Sequence, residues 1–215
     1  MRFTRKILVG AICLAMAFVS GYAQEVKPVS LPAPQMDGGK PLMQVLKERK
    51  TSREFSSKEL PLQVISNLLW AAFGVNRTDK GGRTAPSASN MQEIDIYIAK
   101  QDGLYLYDAK ANALTPVLSE DIRSLTGKQP FVKDAPIDLV YVADLSKMKK
   151  LSVEDINFYS AADTGFIGEN VYLYCVSEGL STVIRGMADR PALAAKMGLK
   201  ADQKIILTQT AGYPK

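Results

Sequence analysis

Glu48-Arg49-Lys50-Thr51-Ser52-Arg53-Glu54-Phe55 gathers four residues that can serve one planar polyanion. Arg49 and Lys50 supply fixed positive charge, Thr51 a hydroxyl, and Arg53 a second guanidinium two residues further on. A guanidinium suits phosphate because its planar fork donates two parallel hydrogen bonds. Basic residues that end a helix also complement the negative end of its dipole with no ligand involved. A run this short is a weak motif by itself. Upstream, Pro41 suits a first helical turn, and Leu42, Val45 and Leu46 share one face. Residues 41–50 are therefore expected as a helix, with the basic stretch opening the loop after it.

Working outward, residues 24–40 hold Pro28, Pro32, Pro34, Gly38 and Gly39 and read as a flexible, extended lead-in. Leu62, Ile65, Leu68 and Leu69 make the stripe of a second helix over 61–73, with Gly74 as its stop. Residues 76–90 are rich in glycine and short polar side chains and read as loop. Ile94, Ile96 and Ile98 alternate with Asp95 and Tyr97 as in a strand, and residues 103–114 suggest a hairpin. A short helix is expected over 120–125. Residues 137–143 have little polarity, as in a strand inside a sheet. The longest helical pattern, 160–178, has almost no polar face and predicts a helix buried on most sides, ended by Gly179. A short helix over 190–197 closes at Gly198, and a last strand covers 204–210. The fold class is α+β: a central, mostly antiparallel sheet wrapped by helices. No internal repeat is visible.

The chain has 215 residues, enough for one domain with a full core. Arg2, Arg5 and Lys6, the uncharged run 7–19 and Gly21-Tyr22-Ala23 read as a signal peptide over 1–23. Export to the periplasm or beyond is the expected address, with no membrane anchor after cleavage. Cys13 follows Ala11 and Ile12, a poor lipidation site. Without the leader the formal charge of +5 drops by three, to +2. The remaining charges are interspersed, so no nucleic-acid footprint is expected. Only Cys175 remains, so an internal disulfide is excluded from the mature chain. There is no histidine, which removes the commonest metal ligand and general base; no metal site and no side-chain catalyst are assigned. A cofactor with its own reactive atoms suits such a chain.

Three blocks, in this order and spacing, resemble the flavin-dependent nitroreductase family over roughly residues 41–214. The first is Arg49-Lys50-Thr51-Ser52-Arg53-Glu54-Phe55. The second is Pro86-Ser87-Ala88-Ser89-Asn90-Met91-Gln92. The third runs from Glu178-Gly179-Leu180-Ser181-Thr182-Val183 to Arg185-Gly186-Met187, then Met197-Gly198-Leu199 and Gly212-Tyr213-Pro214. The tyrosine-rich hairpin is similar to the subgroup of oxidases and dehydrogenases that act on azoline rings.

The resemblance implies FMN at the interface of a homodimer. Arg49 would pair with the phosphate, with Lys50 and Thr51 beside the phosphate or ribityl chain. Arg53 would lie near the pyrimidine edge, where a cation favours the reduced flavin. Ser87 and Asn90, with Gln92, would reach the ligand from the second subunit. The backbone of Gly186 and Met187 would face the N5 region, glycine allowing close approach. Glu93 follows Gln92 where relatives often carry proline. Lys215 would stand in for a late basic residue on the phosphate. The implied activity passes hydride or electrons from a reduced donor to a small organic acceptor such as a nitroaromatic or quinone. A non-catalytic flavin- or ligand-binding protein of the same fold is the other reading these motifs allow.

Overall fold

The structure is a computed structural model that describes residues 27–215. The signal peptide expected over 1–23 lies outside them. No helix among the described residues is long and apolar enough to cross a membrane.

The alternation of Ile94, Ile96 and Ile98 builds β4 (Ile94–Lys100), and the expected hairpin is β5 (Gly103–Asp108) with β6 (Ala113–Leu118). The low-polarity run is β7 (Ile137–Asp144), and the last strand is β9 (Gln203–Gly212). Four strands go beyond the sequence expectation. β1 (Val29–Ser30) pairs with β6, so part of the lead-in joins the sheet, and Leu31 beside it is buried. β8 (Ser181–Arg185), where no strand is expected, pairs along its length with β9. The seven strands lie in the order β1-β6-β5-β4-β7-β9-β8, every neighbouring pair antiparallel. Inside the expected loop over 76–90, β2 (Val75–Arg77) and β3 (Gly82–Arg83) form a small separate hairpin.

The period of two decides the layers. Ile96, Ile98, Leu139 and Tyr141 face one side and pack with Leu68 and Leu69 of α2 (Leu62–Phe73) and with Ile167 and Val171 of α3 (Val153–Ser177). Tyr97, Ala99, Val140 and Val142 face the other and meet Leu193 and Met197 of α4 (Arg190–Met197). The expected short helix over 120–125 is a single 3-10 turn, Arg123–Leu125. Gly198, at φ 66°, closes α4 as its pattern predicts.

Two expectations are corrected. α3 begins seven residues earlier than its apolar run, because the Ser152 hydroxyl accepts from the Asp155 amide and Glu154 and Asp155 fill the first turn. Nor is it buried on most sides: one stripe, including Asp163, Ile167, Val171 and Cys175, faces the core, while Phe158 and Phe166 are exposed. On α1 (Leu42–Glu48) only Val45 is buried, and Leu42, Met43 and Leu46 face outward. The chain thus carries large apolar side chains on two helices that its own core does not cover.

Candidate functional site

α1 ends where the basic stretch begins. The Arg49 amide donates to the Val45 carbonyl at 2.8 Å, and at ψ 123° Arg49 turns the chain out of the helix. The chain then runs along the outer edge of β8. The Ser52 amide donates to the Thr182 carbonyl at 3.0 Å, and the Ser181 hydroxyl donates to that of Ser52 at 3.1 Å. Buried Phe55, 5.5 Å from the Phe131 ring, pins the far end.

Extended backbone splits the stretch into two faces. On one, the Arg49 guanidinium sits 5.3 Å from the Tyr172 ring centroid, and the Thr51 and Tyr172 hydroxyls are 3.1 Å apart. Tyr172 accepts from the Ile184 amide at 3.0 Å, so its own proton is free for Thr51. On the other face, Lys50, Ser52 and Glu54 line a cavity of about 480 Å³ that Lys215 and Glu48 also border. The structure therefore brings Lys50 and Lys215 together and separates both from Arg49 and Thr51. Arg53 is exposed. No carboxylate among the described residues forms an ion pair with Arg49, Lys50, Arg53 or Lys215. Tyr172→Phe removes the partner of both Thr51 and the Ile184 amide. It should lower the unfolding free energy by about 1–2 kcal/mol, measured by urea denaturation.

The second block is a strained loop. Ser89, Asn90 and Gln92 have φ of 49°, 55° and 50°, a region non-glycine residues seldom occupy. Two tethers hold it: the Ala88 amide donates to Asp163 Oδ2 of α3 at 2.8 Å, and the Gln92 amide to Ser87 Oγ at 3.0 Å. Gln92, expected at the ligand, has its side chain bonded internally. Its Oε1 accepts from Arg83 Nε, and its Nε2 donates to Gly81 O and Asn90 Oδ1, each at 2.9 Å. Asp163 and Tyr172, which anchor the second and first blocks, are nine residues apart on α3, roughly 13 Å along its axis.

Glu93, next in the chain, is fully buried, and neither carboxylate oxygen has a hydrogen-bond partner. Burial pushes its carboxyl up to about 7, and the neighbouring Asp163 adds to the rise. A carboxyl raised on folding contributes stability that is present below its unfolded value and lost as pH rises through the folded one. Stability should therefore fall between about 4.5 and about 7 on this account. Glu93→Gln should flatten that part of the profile and stabilise the protein at alkaline pH, as read from urea midpoints across pH.

The third block follows β8. Arg185 turns inward and donates to Asp138 Oδ1 and Thr210 Oγ1, both at 2.8 Å, and to the Thr126 carbonyl at 2.9 Å. The Thr210 hydroxyl also bonds Asp138. Burial raises the Asp138 carboxyl, opposed by the Arg185 guanidinium and the Thr210 hydroxyl. After this anchor the chain is exposed at Met187, whose carbonyl accepts from the Lys128 amide at 3.1 Å. Gly186 has no positive φ, and a Cβ there would meet nothing nearer than 3.9 Å. Nothing within the chain demands a glycine at that position.

Tyr172 and Asp138 support the blocks without having been singled out in the sequence, and Arg185, quoted in the third block, has no role assigned there. Each lies in a run whose apolar neighbours mask it. Only the isolated charges of Arg185 and Asp138 within β-branched segments hint at a buried pair.

The Nitroreductase family model matches residues 46–213. A putative nitroreductase of Methanocaldococcus jannaschii is 31% identical over 155 residues, 67% of this chain and 78% of that protein. The crystal structure of a putative nitroreductase from Ralstonia eutropha superposes with a TM-score of 0.85 at 45% identity, covering 89% of this chain and 91% of the other. The NADPH:FMN oxidoreductase of Vibrio harveyi superposes with a TM-score of 0.60 at 17% identity over 81% of this chain and 69% of that one. That last likeness is one of fold. The α+β, antiparallel architecture is thus the nitroreductase fold.

Proposed function

The chain belongs to the nitroreductase family and is on that ground an oxidoreductase, and we propose that it is an exported, FMN-dependent enzyme that works as a homodimer. The observation that carries the cofactor is the set of cations around residues 49–53 and 215, none paired with a carboxylate among the described residues. Uncompensated cations beside a pre-oriented hydroxyl fit a phosphorylated, polyhydroxylated ligand. Gly186 fits too: with no internal reason for a glycine, close approach of a flat ring to the backbone supplies one.

FMN, when bound, supplies the carriage of hydride or electrons between donor and acceptor. The chain's own residues bind and orient. Arg49, steadied over Tyr172, offers its fork to phosphate. Thr51, held by Tyr172, offers its hydroxyl to the ribityl chain. Arg53 would bring positive charge to the ring edge, where a cation favours the reduced form. Arg185, fixed to Asp138 and Thr210, sets where the Gly186–Met187 backbone emerges. Gln92 and Ser87 hold the loop that presents Asn90. Lys50 and Lys215 add positive charge behind the strand.

Leu42, Met43 and Leu46 on α1 and Phe158 and Phe166 on α3 support the dimer, since large apolar side chains exposed on packed helices mark interaction surfaces. Export rests on Arg2, Arg5 and Lys6 ahead of the uncharged run 7–19. Outside the cytoplasm NAD(P)H is not the available donor. A small-molecule reductant, with a quinone, nitroaromatic or oxygen as acceptor, suits that address.

The test is the visible spectrum of the purified mature chain, with released flavin identified after heat denaturation. FMN near one per subunit is expected. A colourless protein that also fails to take up added FMN overturns the reading.

A further inference from the structure

We propose that the cavity walled by Trp70, Arg83, Gln92 and Lys110 is a second ligand site, built for a small aromatic carboxylate. Its volume, about 520 Å³, lies in the range of small-molecule sites. It shares no wall residue with the cavity of Lys50 and Lys215. It lies between the small β2–β3 hairpin, the loop after β3 and the turn between β5 and β6.

Arg83 gives the site its charge preference. Its Nε donates to Gln92 Oε1 at 2.9 Å and its Nη1 to the Phe73 carbonyl at 3.0 Å, while its guanidinium stacks 5.0 Å from the Phe73 ring centroid. The group is thereby fixed, and Nη2 has no acceptor among the described residues. No carboxylate there forms an ion pair with it. Burial lowers its affinity for its own proton, and Tyr107, Asp108 and Asp95, none of them paired with it, offset only part of that, as expected of a cation partly stripped of water with no direct counter-ion. Such a group gains most from a carboxylate brought in by a ligand. Lys110, exposed at the rim, adds a second positive charge.

The aromatic preference comes from Trp70. Its indole N–H is already bonded to the Val75 carbonyl at 3.2 Å, so it offers the cavity an apolar face. Asn112 and Pro34 complete the wall. Because Gln92 links Arg83 to Asn90, an occupant that engages Arg83 also bears on the strained loop.

Trp70 is the single tryptophan of the chain, so its fluorescence reports on this cavity. The experiment titrates the purified full chain with benzoate and, separately, with neutral benzamide. Benzoate should change the fluorescence saturably and benzamide should not. Arg83→Met should weaken benzoate about 10- to 100-fold, the loss of a charged hydrogen bond. Lys110→Glu, on an exposed side chain with no side-chain hydrogen bond or ion pair among the described residues, should weaken it several-fold at low salt. No saturable change with benzoate, equal binding of benzamide, or unchanged binding in Lys110→Glu overturns the proposal. So does a visible-spectrum change of bound flavin that tracks the titration, because it assigns benzoate to the flavin instead.

Discussion

Arg185→Met should lower the unfolding free energy by about 3–5 kcal/mol, the cost of leaving one member of a buried ion pair alone. Arg185 and Asp138 expose 2% and 0% of their side chains, so water cannot replace the lost partner. The guanidinium also satisfies Thr210 and the Thr126 carbonyl, which methionine leaves unmet. A typical domain has about 5–15 kcal/mol in all, so the variant should sit near its threshold. The loss has a sign with pH. Burial already raises the Asp138 carboxyl, and without the cation it rises further. Folded protein then holds the proton more tightly than unfolded protein does, so the variant should be less impaired at about pH 5 than at about pH 8. Urea denaturation at both values reads the effect. Pairing Arg185→Met with Asp138→Leu should recover part of the loss, since replacing both charges avoids a lone buried one. A loss below about 1 kcal/mol for the single change would show that the pair does not hold the end of β8.

Arg49→Ala with Arg53→Ala should weaken FMN binding about 10²- to 10⁴-fold, taking roughly 1.5–3 kcal/mol for each charged hydrogen bond removed. Arg53 is exposed and Arg49 half-buried over Tyr172, so the fold should survive, and the thermal midpoint of flavin-free protein should barely move. The affinity that remains should depend less on salt, because fewer charges are engaged. The informative comparison is Lys50→Ala with Lys215→Ala. These lysines line the cavity behind the strand, away from Tyr172. If that pair costs as much affinity as the arginine pair, the phosphate sits in the rear cavity. If the arginine pair leaves flavin content unchanged, residues 49–53 do not bind the cofactor at all. Equilibrium dialysis against FMN measures both.

Much of this architecture is legible in the sequence where one period dominates a run. Ile94, Ile96 and Ile98 set a face of the sheet by alternation, and the helical spacing of Ile65, Leu68 and Leu69 sets the buried stripe of α2. β8 escapes because Ser181-Thr182-Val183-Ile184-Arg185 is short, opens on hydroxyls and ends on a charge; its strand character comes from β9 beside it and Ser52 outside it. The start of α3 escapes because a cap, Ser152 with Asp155, defines it rather than an apolar stripe. In the candidate site, the blocks themselves are visible as residue types. Which side of the chain each residue faces is not. Lys50 parts from Arg49, and Gln92 turns inward, because extended backbone and left-handed residues set their directions, and neither leaves a mark in composition.

The place of β9 bears on how the chain is made. Residues 203–212 are among the last of the described chain to be synthesised, yet their strand lies inside the sheet, between β7 and β8. Until they arrive, β7 has one open edge and β8 has no partner strand. The sheet cannot close before they are made, and contacts this distant in sequence form slowly. Under the export proposed above, late closure is an advantage, since the chain stays threadable until β9 is made. The same delay leaves open strand edges for a holding chaperone to shield.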